Sequence, residues 1–457
     1  MGNTTCDSAG TMNAVGLANA TNVDPAKRHG AIWLWILGLS LLLVYLANGR
    51  PIGAFDTMPA VFLPVAMIRG DGPYLDRFRS TIENPDGSLP LYATSARGHI
   101  VSRYPLAPAI LAIPFVIPQV LIMDRLDPDW EEKSPYLCLG MAKNAAAAIT
   151  AILGVALFKL LQTLGQGSLS FWTTLAAALG SNLWTVASQS LWQHGPAALA
   201  LTLTMLLLIH PHCSRRRICL AGITTASLVC CRAIDVIFAI AVLFWLLWFH
   251  PKKVHWFICG PIILGSLLIS YNCWFFSSLA GGQAQLESLH PQLHGVASAW
   301  SGDPVHGAAV TLVSPSYGLF TYTPWVACAL LCLHGILPRL REWSLVCWLL
   351  GAVLGYFVLL SNYSMFGTFF GPRYWTDVIP LFAIVLGFSL EWAKNRSRIL
   401  QAALILSIVL SVGVQVIGAF CFPSSWKTSP VDADLHHERW WDWRDNELSR
   451  CLIEGMR

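Results

Sequence analysis

The sequence predicts an all-α, polytopic membrane protein. Three observations predict it. Of the 457 residues, 55% are hydrophobic and only 12% are charged, whereas a soluble domain carries about 25% charged residues. The mean hydropathy is +0.55, and the apolar residues come in blocks of roughly 17 to 25, the length that crosses the hydrocarbon core of a bilayer. Clusters of Lys and Arg recur at the ends of these blocks, as expected of loops retained on the cytoplasmic side.

Residues 1–30 are rich in Ser, Thr, Asn and Ala and lack an apolar core. They are expected to be a disordered cytoplasmic tail rather than a signal peptide. The first apolar block, 31–48, follows Lys27, Arg28 and His29 and is expected to serve as an uncleaved signal anchor. Further apolar blocks lie at about 105–123, 137–161, 169–188, 196–210, 218–230, 234–249, 256–276, 317–334, 343–360, 378–393 and 399–421. Basic groups follow several of them: Arg215 to Arg217, Lys252 and Lys253, Arg339 and Arg341, and Lys394, Arg396 and Arg398. Placing all of these inside turns 190–195, 231–235, 277–316, 361–377 and the short tail 422–457 outward.

Strict alternation then fails once. A cytoplasmic N-terminus puts loop 49–104 outside, yet three blocks separate it from 190–195. Segment 105–123, "PLAPAILAIPFVIPQVLIM", holds four prolines. Because Pro breaks the helix ladder, this segment is expected to be re-entrant or strongly kinked. The other repair is a membrane-dipping stretch within 57–68. The expected count is therefore about 11 to 13 spans, and residues 31–421 are expected to form one membrane domain.

The net charge of +4 and the absence of a basic arm give no nucleic-acid signature. The thirteen cysteines include no CxxC pair and lie mostly inside apolar blocks. There they behave as small apolar residues, so neither a disulfide nor a metal site is expected. The cytoplasmic loops are short and basic and serve topology alone.

The polar residues that remain gather on the outward face. The first outward loop opens with "NGRPIGAFDTMPAVFLP" and carries Asp56, Asp76 and Arg103. "SQSLWQHGP" adds His194, "CCRAIDV" adds Arg232 and Asp235, and "SNYSMFGTFFGPRYWTDVIP" adds Arg373, Tyr374 and Asp377. A carrier or channel keeps its polar residues near the midplane. Here the blocks are mostly clean, apart from Lys143, Lys159 and the Arg232/Asp235 pair near block ends. The working site is therefore expected at the outer water–membrane boundary, where it suits a substrate with a lipid tail and a polar head.

Each residue also has a plainer reading. Asp56 in "DTMPA" fits a helix N-cap, which is compatible with a role in proton transfer. Arg232 and Asp235 fit a pair that neutralises itself at a turn. His194 fits an interfacial histidine beside a belt Trp. Arg373 fits a snorkelling Arg, and Asp377 fits its partner. Against that, a fixed guanidinium between aromatic stretches can grip a phosphate through two bonds.

In this order, "GRPIGAFDTMPAVFLP", "SRYPLAPAILAIPF", "SQSLWQHGPA", "SPSYGLFTYTPW" and "FGPRYWTDVIP" resemble the GT-C class of integral-membrane glycosyltransferases. The resemblance is to the branch near the polyprenyl-phosphate-mannose mannosyltransferases and the aminoarabinose transferases. It covers roughly residues 30–420. Each motif alone is weak; their shared order and shared face carry the likeness.

The resemblance implies a polyprenyl-phosphate-linked sugar as donor and a lipid or glycan as acceptor. It places the enzyme in a bacterial inner membrane, with its site facing the periplasm. It implies Asp56 as general base, and Arg373, then Arg103, against the developing phosphate charge. His194, Asp76, Tyr374 and Arg232 are the other expected substrate-binding residues. Several relatives carry two adjacent acids in this loop, often serving a metal ion. Phe55 and Thr57 flank Asp56 here, which argues against a metal, although Asp76 could be the second acid. No cofactor is expected. The rival readings are a flippase or transporter of a lipid-linked sugar and an O-antigen-type polymerase or ligase. The polymerase reading is disfavoured because loop 277–316 contains no Arg or Lys. A tail of about 36 residues is also too short for the soluble outer domain of a protein-modifying oligosaccharyltransferase.

Overall fold

A computed structural model describes residues 25–51, 53–210, 214–294, 298–364, 366–367, 369–421 and 425–454. Among them the regular structure is helical, apart from one two-stranded hairpin. Six helices are long and apolar enough to cross a membrane, by length and composition, and six shorter apolar helices accompany them. Many apolar side chains on their outer faces are exposed, such as Leu43, Ile263, Leu354 and Val409. This is the surface of an integral membrane protein.

Helix α1, Pro25–Leu46, takes in residues 25–30 of the expected tail; the rest of that tail lies outside the described residues. Next come α2, Met58–Ile68, and α3, Ala107–Leu126. Helix α3 is one unbroken helix of 20 residues, so segment 105–123 is not re-entrant. Pro108 sits in its first turn, where a missing N–H costs nothing. Pro114 and Pro118 lie inside the helix without ending it. Such prolines are tolerated where neighbours re-satisfy the freed backbone groups. Helix α2 has 11 residues and a largely buried surface; at 1.5 Å per residue it is about 16 Å long, half a bilayer core. It coincides with the stretch 57–68, the other expected repair of the alternation.

Between α2 and α3 the chain makes a polar excursion that contains the hairpin β1, Ala93–Ala96, and β2, His99–Ser102. The strands pair antiparallel, with Ala93 opposite Ser102. Arg69 binds Asp124 and Glu131, and Arg77 binds Asp71 and Glu131. This network staples the excursion to the far end of α3.

Helix α4, Leu137–Thr163, and α5, Leu169–Leu179, lead to a widened π turn at Leu183–Ala187. Such turns interrupt helices mostly where a side chain must be re-aimed. This one delivers "SQSLWQH" to α6, His194–Ile209. Helix α7, Arg215–Cys231, crosses α9, Val254–Phe276, at Gly222 and Gly260. A Cβ on Gly222 would lie 2.0 Å from the Phe257 carbonyl oxygen, so only glycine allows this approach. Helix α8, Val236–Phe249, lies between them in sequence.

The later helices are α10, Gly282–His294; α11, Pro304–Val313; α12, Pro324–Leu331; α13, Leu333–Arg341; α14, Ser344–Ser361; α15, Ile379–Lys394; α16, Arg398–Phe420; and α17, Glu447–Glu454. The stretch around α15 is 89% buried, whereas that around α9 is 11% buried. Thus α15 is the central post of the bundle and α9 lies at its rim. The bundle interior is more polar than the sequence suggests. Gln415 accepts from Thr185 at 2.6 Å and donates to the Tyr322 carbonyl at 3.0 Å. Asn182 donates to the Phe370 carbonyl at 3.0 Å. These bonds join packed helices and act as glue.

Residues 425–454 do not trail away. They form short helical turns whose Trp426 and Trp440 are buried against Tyr317, Phe366 and Phe369. Arg439 holds them together, donating to the carbonyls of Trp426 and Ser429 at 2.8 Å each.

Candidate active site

Asp56 and Arg373 are brought together. Thr57 closes the turn in front of α2: its Oγ1 donates to the Ala54 carbonyl at 2.8 Å and accepts from the Ala54 N–H at 3.1 Å. The N-cap of α2 is Thr57, without a side-chain cap bond. The Asp56 carboxylate is therefore not a cap; its Oδ2 accepts from Arg373 Nη1 at 2.7 Å.

Arg373 starts a 3₁₀ turn, Arg373–Val378, that leads into α15. Its guanidinium carbon lies 4.2 Å from the Phe369 ring centre, 4.5 Å from that of Trp192 and 4.9 Å from that of Tyr374. Nη2 donates to the Tyr374 hydroxyl at 3.0 Å, and that hydroxyl meets Tyr363 Oη at 3.3 Å. The Nε is buried and has no hydrogen-bond partner among the described residues. A planar cation is thus fixed on aromatic faces with its Nε donor unused. Tyr104 lies beside the pair. Burial and the Asp56 charge push its phenol up from its ordinary range, and Arg373 opposes this.

A second cluster adjoins the first. Asp377 is fully buried. Its Oδ1 meets His194 Nδ1 at 3.0 Å, and its Oδ2 accepts from Arg232 Nη1. Arg232 also donates to Tyr356 Oη at 2.5 Å, and Tyr356 donates to the Tyr374 carbonyl at 2.5 Å. Arg232 and Arg373 both lie over the Tyr374 ring, 5.2 and 4.9 Å from its centre. Tyr374 is where the two clusters meet.

These contacts revise two expected pairings. Arg373 and Asp377 do not pair, although they are four residues apart. In a 3₁₀ turn residues three apart eclipse, so residues four apart point about 120° away from each other. Arg232 keeps Asp235 as a long ion pair at 4.0 Å but gives its hydrogen bond to Asp377. Extended backbone at Arg232, with φ −153°, turns the side chain toward Asp377. Both Asp235 oxygens are buried without a hydrogen-bond partner among the described residues.

The remaining expected residues sit elsewhere. Asp76 binds His99 Nδ1 at 2.7 Å and the Ile100 N–H at 2.8 Å, pinning the hairpin. Arg103 donates to the Leu91 carbonyl at 2.8 Å and to Gln285 at 3.3 Å. Among the described residues no bond joins either one to Asp56 or Arg373. Nor does any group of three or more His, Cys, Asp or Glu side chains there offer a metal site.

Other residues around the site were given no role in it from the sequence. Lys143 is buried in α4, and its Nζ donates to Asn48 Oδ1 at 2.8 Å and to the Arg50 carbonyl at 3.2 Å, besides Gln189. It thereby anchors the strand of loop that leads to Asp56. Its signal was a Lys inside an apolar block. Tyr356, Tyr363 and Trp192 carry no comparable mark, because aromatics are common in every span.

The chain matches no protein-family model and no curated protein. Solved structures similar to it include two of one protein. One is ArnT from Cupriavidus metallidurans bound to undecaprenyl phosphate: 13% identity, TM-score 0.48, covering 87% of this chain and 68% of that one. The other is ArnT from the same organism in the apo state: 12% identity, TM-score 0.41, covering 91% of this chain and 78% of that one.

Proposed function

We propose that this protein is a membrane glycosyltransferase that moves one sugar from a polyprenyl-phosphate donor to a hydroxyl of a lipid or glycan acceptor. The observation that carries this reading is the Asp56–Arg373 pair, a carboxylate and an aromatic-stacked guanidinium at 2.7 Å at the mouth of an apolar bundle. Glycosyl transfer from a phosphate needs these two groups together. The acceptor oxygen attacks the anomeric carbon and its proton passes to the Asp56 carboxylate. The bond from that carbon to the phosphate oxygen breaks, and the oxygen leaves with the electron pair. Arg373 faces the developing charge, and its fork turns from Asp56 and Tyr374 to the phosphate oxygens as the donor binds.

An apolar groove of about 500 Å³ between α8 and α14 suits the prenyl chain. Ala352 in its wall precedes Tyr356 of the site by four residues, about one helical turn. His194, Arg232 and Tyr374 lie in the same cluster and are the residues proposed to contact substrate. Arg103 and Asp76 shape the outer excursion. The site is proposed to face the outer side of a bacterial inner membrane.

The test is a transfer assay. Purified protein in liposomes receives radiolabelled polyprenyl-phosphate sugars and a lipid and glycan extract, with Asp56→Asn alongside. Label should move to a new species with wild type only. Label that crosses the bilayer on its original lipid, equally in both proteins, would mark a flippase and end the transferase reading.

A further inference from the structure

The turn that presents Arg373 is held from behind by the segment 425–454. Gly371 N–H donates to Glu447 Oε2 at 2.9 Å, and Phe366 N–H donates to Asp434 Oδ1 at 3.3 Å. Two acids of the C-terminal segment therefore grip the backbone at Phe366 and at Gly371. Phe369, inside that turn, is the face closest to the Arg373 guanidinium. Gly371 has φ +69°, and a Cβ there would lie 2.6 Å from the Tyr322 ring. This position thus admits only glycine, and Glu447 accepts from its N–H.

We propose that Glu447 is a positioning residue for Arg373, and that the segment 425–454 is a working part of the candidate active site.

A carboxyl group with 3% exposure costs stability unless its bonds repay it. Burial pushes Glu447 up to about 8, against the Gly371 N–H and the Lys427 charge. The main described bond that this group makes is the one to the Gly371 amide, two residues before Arg373. Trp426 and Trp440 pack on Phe366 and Tyr317 around it. Removing the acceptor leaves the Gly371 N–H unpaired and lets the turn swing. Arg373 then loses its Phe369 face and its register on Asp56. The effect on catalysis rests on the transferase reading; the effect on the turn does not.

Two measurements on Glu447→Ala and Glu447→Gln in lipid nanodiscs test this. The first is amide hydrogen exchange across 366–373. Protection should fall in Glu447→Ala and persist in Glu447→Gln, whose side-chain carbonyl still accepts. The second is transfer kinetics with a polyprenyl-phosphate sugar. In Glu447→Ala, kcat/KM for the donor should fall by roughly tenfold to a hundredfold, with the donor KM raised. Glu447→Gln should stay close to wild type. A merely destabilised protein loses active molecules and keeps its KM. Unchanged exchange in Glu447→Ala, or a loss of rate at constant KM, overturns the proposal. Altered exchange in a wild-type protein that transfers nothing would uphold the clamp and discard the transferase reading alone.

Discussion

Asp56 and Arg373 stand 317 positions apart and meet at 2.7 Å. Their side chains are 22% and 8% exposed. At that burial each charge depends on the other, because an unpaired charge there loses much of its hydration. In the proposed transfer, a phosphate that takes up Arg373 would free the Asp56 carboxylate to face the acceptor, so donor binding and acceptor activation are proposed to run through this one pair.

Asp56→Asn keeps the side-chain shape and removes the base. Its transfer rate should fall by at least about 100-fold. Arg373→Lys keeps the charge but loses the fork and the stacking on Phe369 and Trp192. Its kcat/KM for the donor should fall by a similar factor. Steady-state kinetics of the two purified variants check both, and wild-type rates in Asp56→Asn would remove Asp56 from the mechanism.

Asp377 holds Arg232 and His194 together at 0% exposure. Asp377→Asn leaves Arg232 without its counter-charge, which should cost about 3 kcal/mol. Thermal unfolding in detergent, followed by the intrinsic Trp signal, should show a clear drop in Tm. A variant as stable as wild type would mean that Asp235 has taken over as the partner, and the double variant Asp377→Asn/Asp235→Asn would reveal this.

Lys143→Met keeps the length of the side chain and removes its donors to Asn48 and the Arg50 carbonyl. Losing these charge-assisted bonds to part-buried acceptors should cost about 1–3 kcal/mol. The loop that leads to Asp56 should loosen, seen as faster proteolysis or exchange across 48–56. Retained protection there would show that Gln189 alone suffices to hold the loop.

Glu447 should make stability depend on pH. Its folded carboxyl stands at about 8, against 4.5 as the ordinary value. The folded state therefore keeps a proton that the unfolded chain releases. That contribution is fully present below about pH 4.5 and is lost as pH rises toward 8, by up to about 1.4 kcal/mol per pH unit. Lys427, Tyr317 and Tyr322 are the other titratable groups that act on it. Glu447→Gln carries no proton to lose. Its Tm advantage over wild type should be smallest at pH 5 and largest at pH 8. A difference that does not change with pH contradicts the assignment.

The sequence by itself determined the class of protein and the residues worth asking about. Block length and hydropathy are local properties, set by the thickness of a bilayer, so the long helices could be placed from composition alone. A carboxylate at Asp56 and a cation at Arg373 stand out because charge is rare in such a chain. Only the tertiary structure decided which charges meet. Arg373 turns from Asp377 to Asp56 because its turn is 3₁₀ rather than α, a difference in phase that the residues "RYWTD" do not reveal. The prolines of α3 looked like breaks because their local cost is plain, while the packing that tolerates them is not. Lys143 finds its acceptors on the α1–α2 loop and in "SQSLW", and Glu447 finds the Gly371 amide 76 positions away. Hydropathy is written residue by residue, but an ion pair or a clamp exists only once distant segments have been folded into contact.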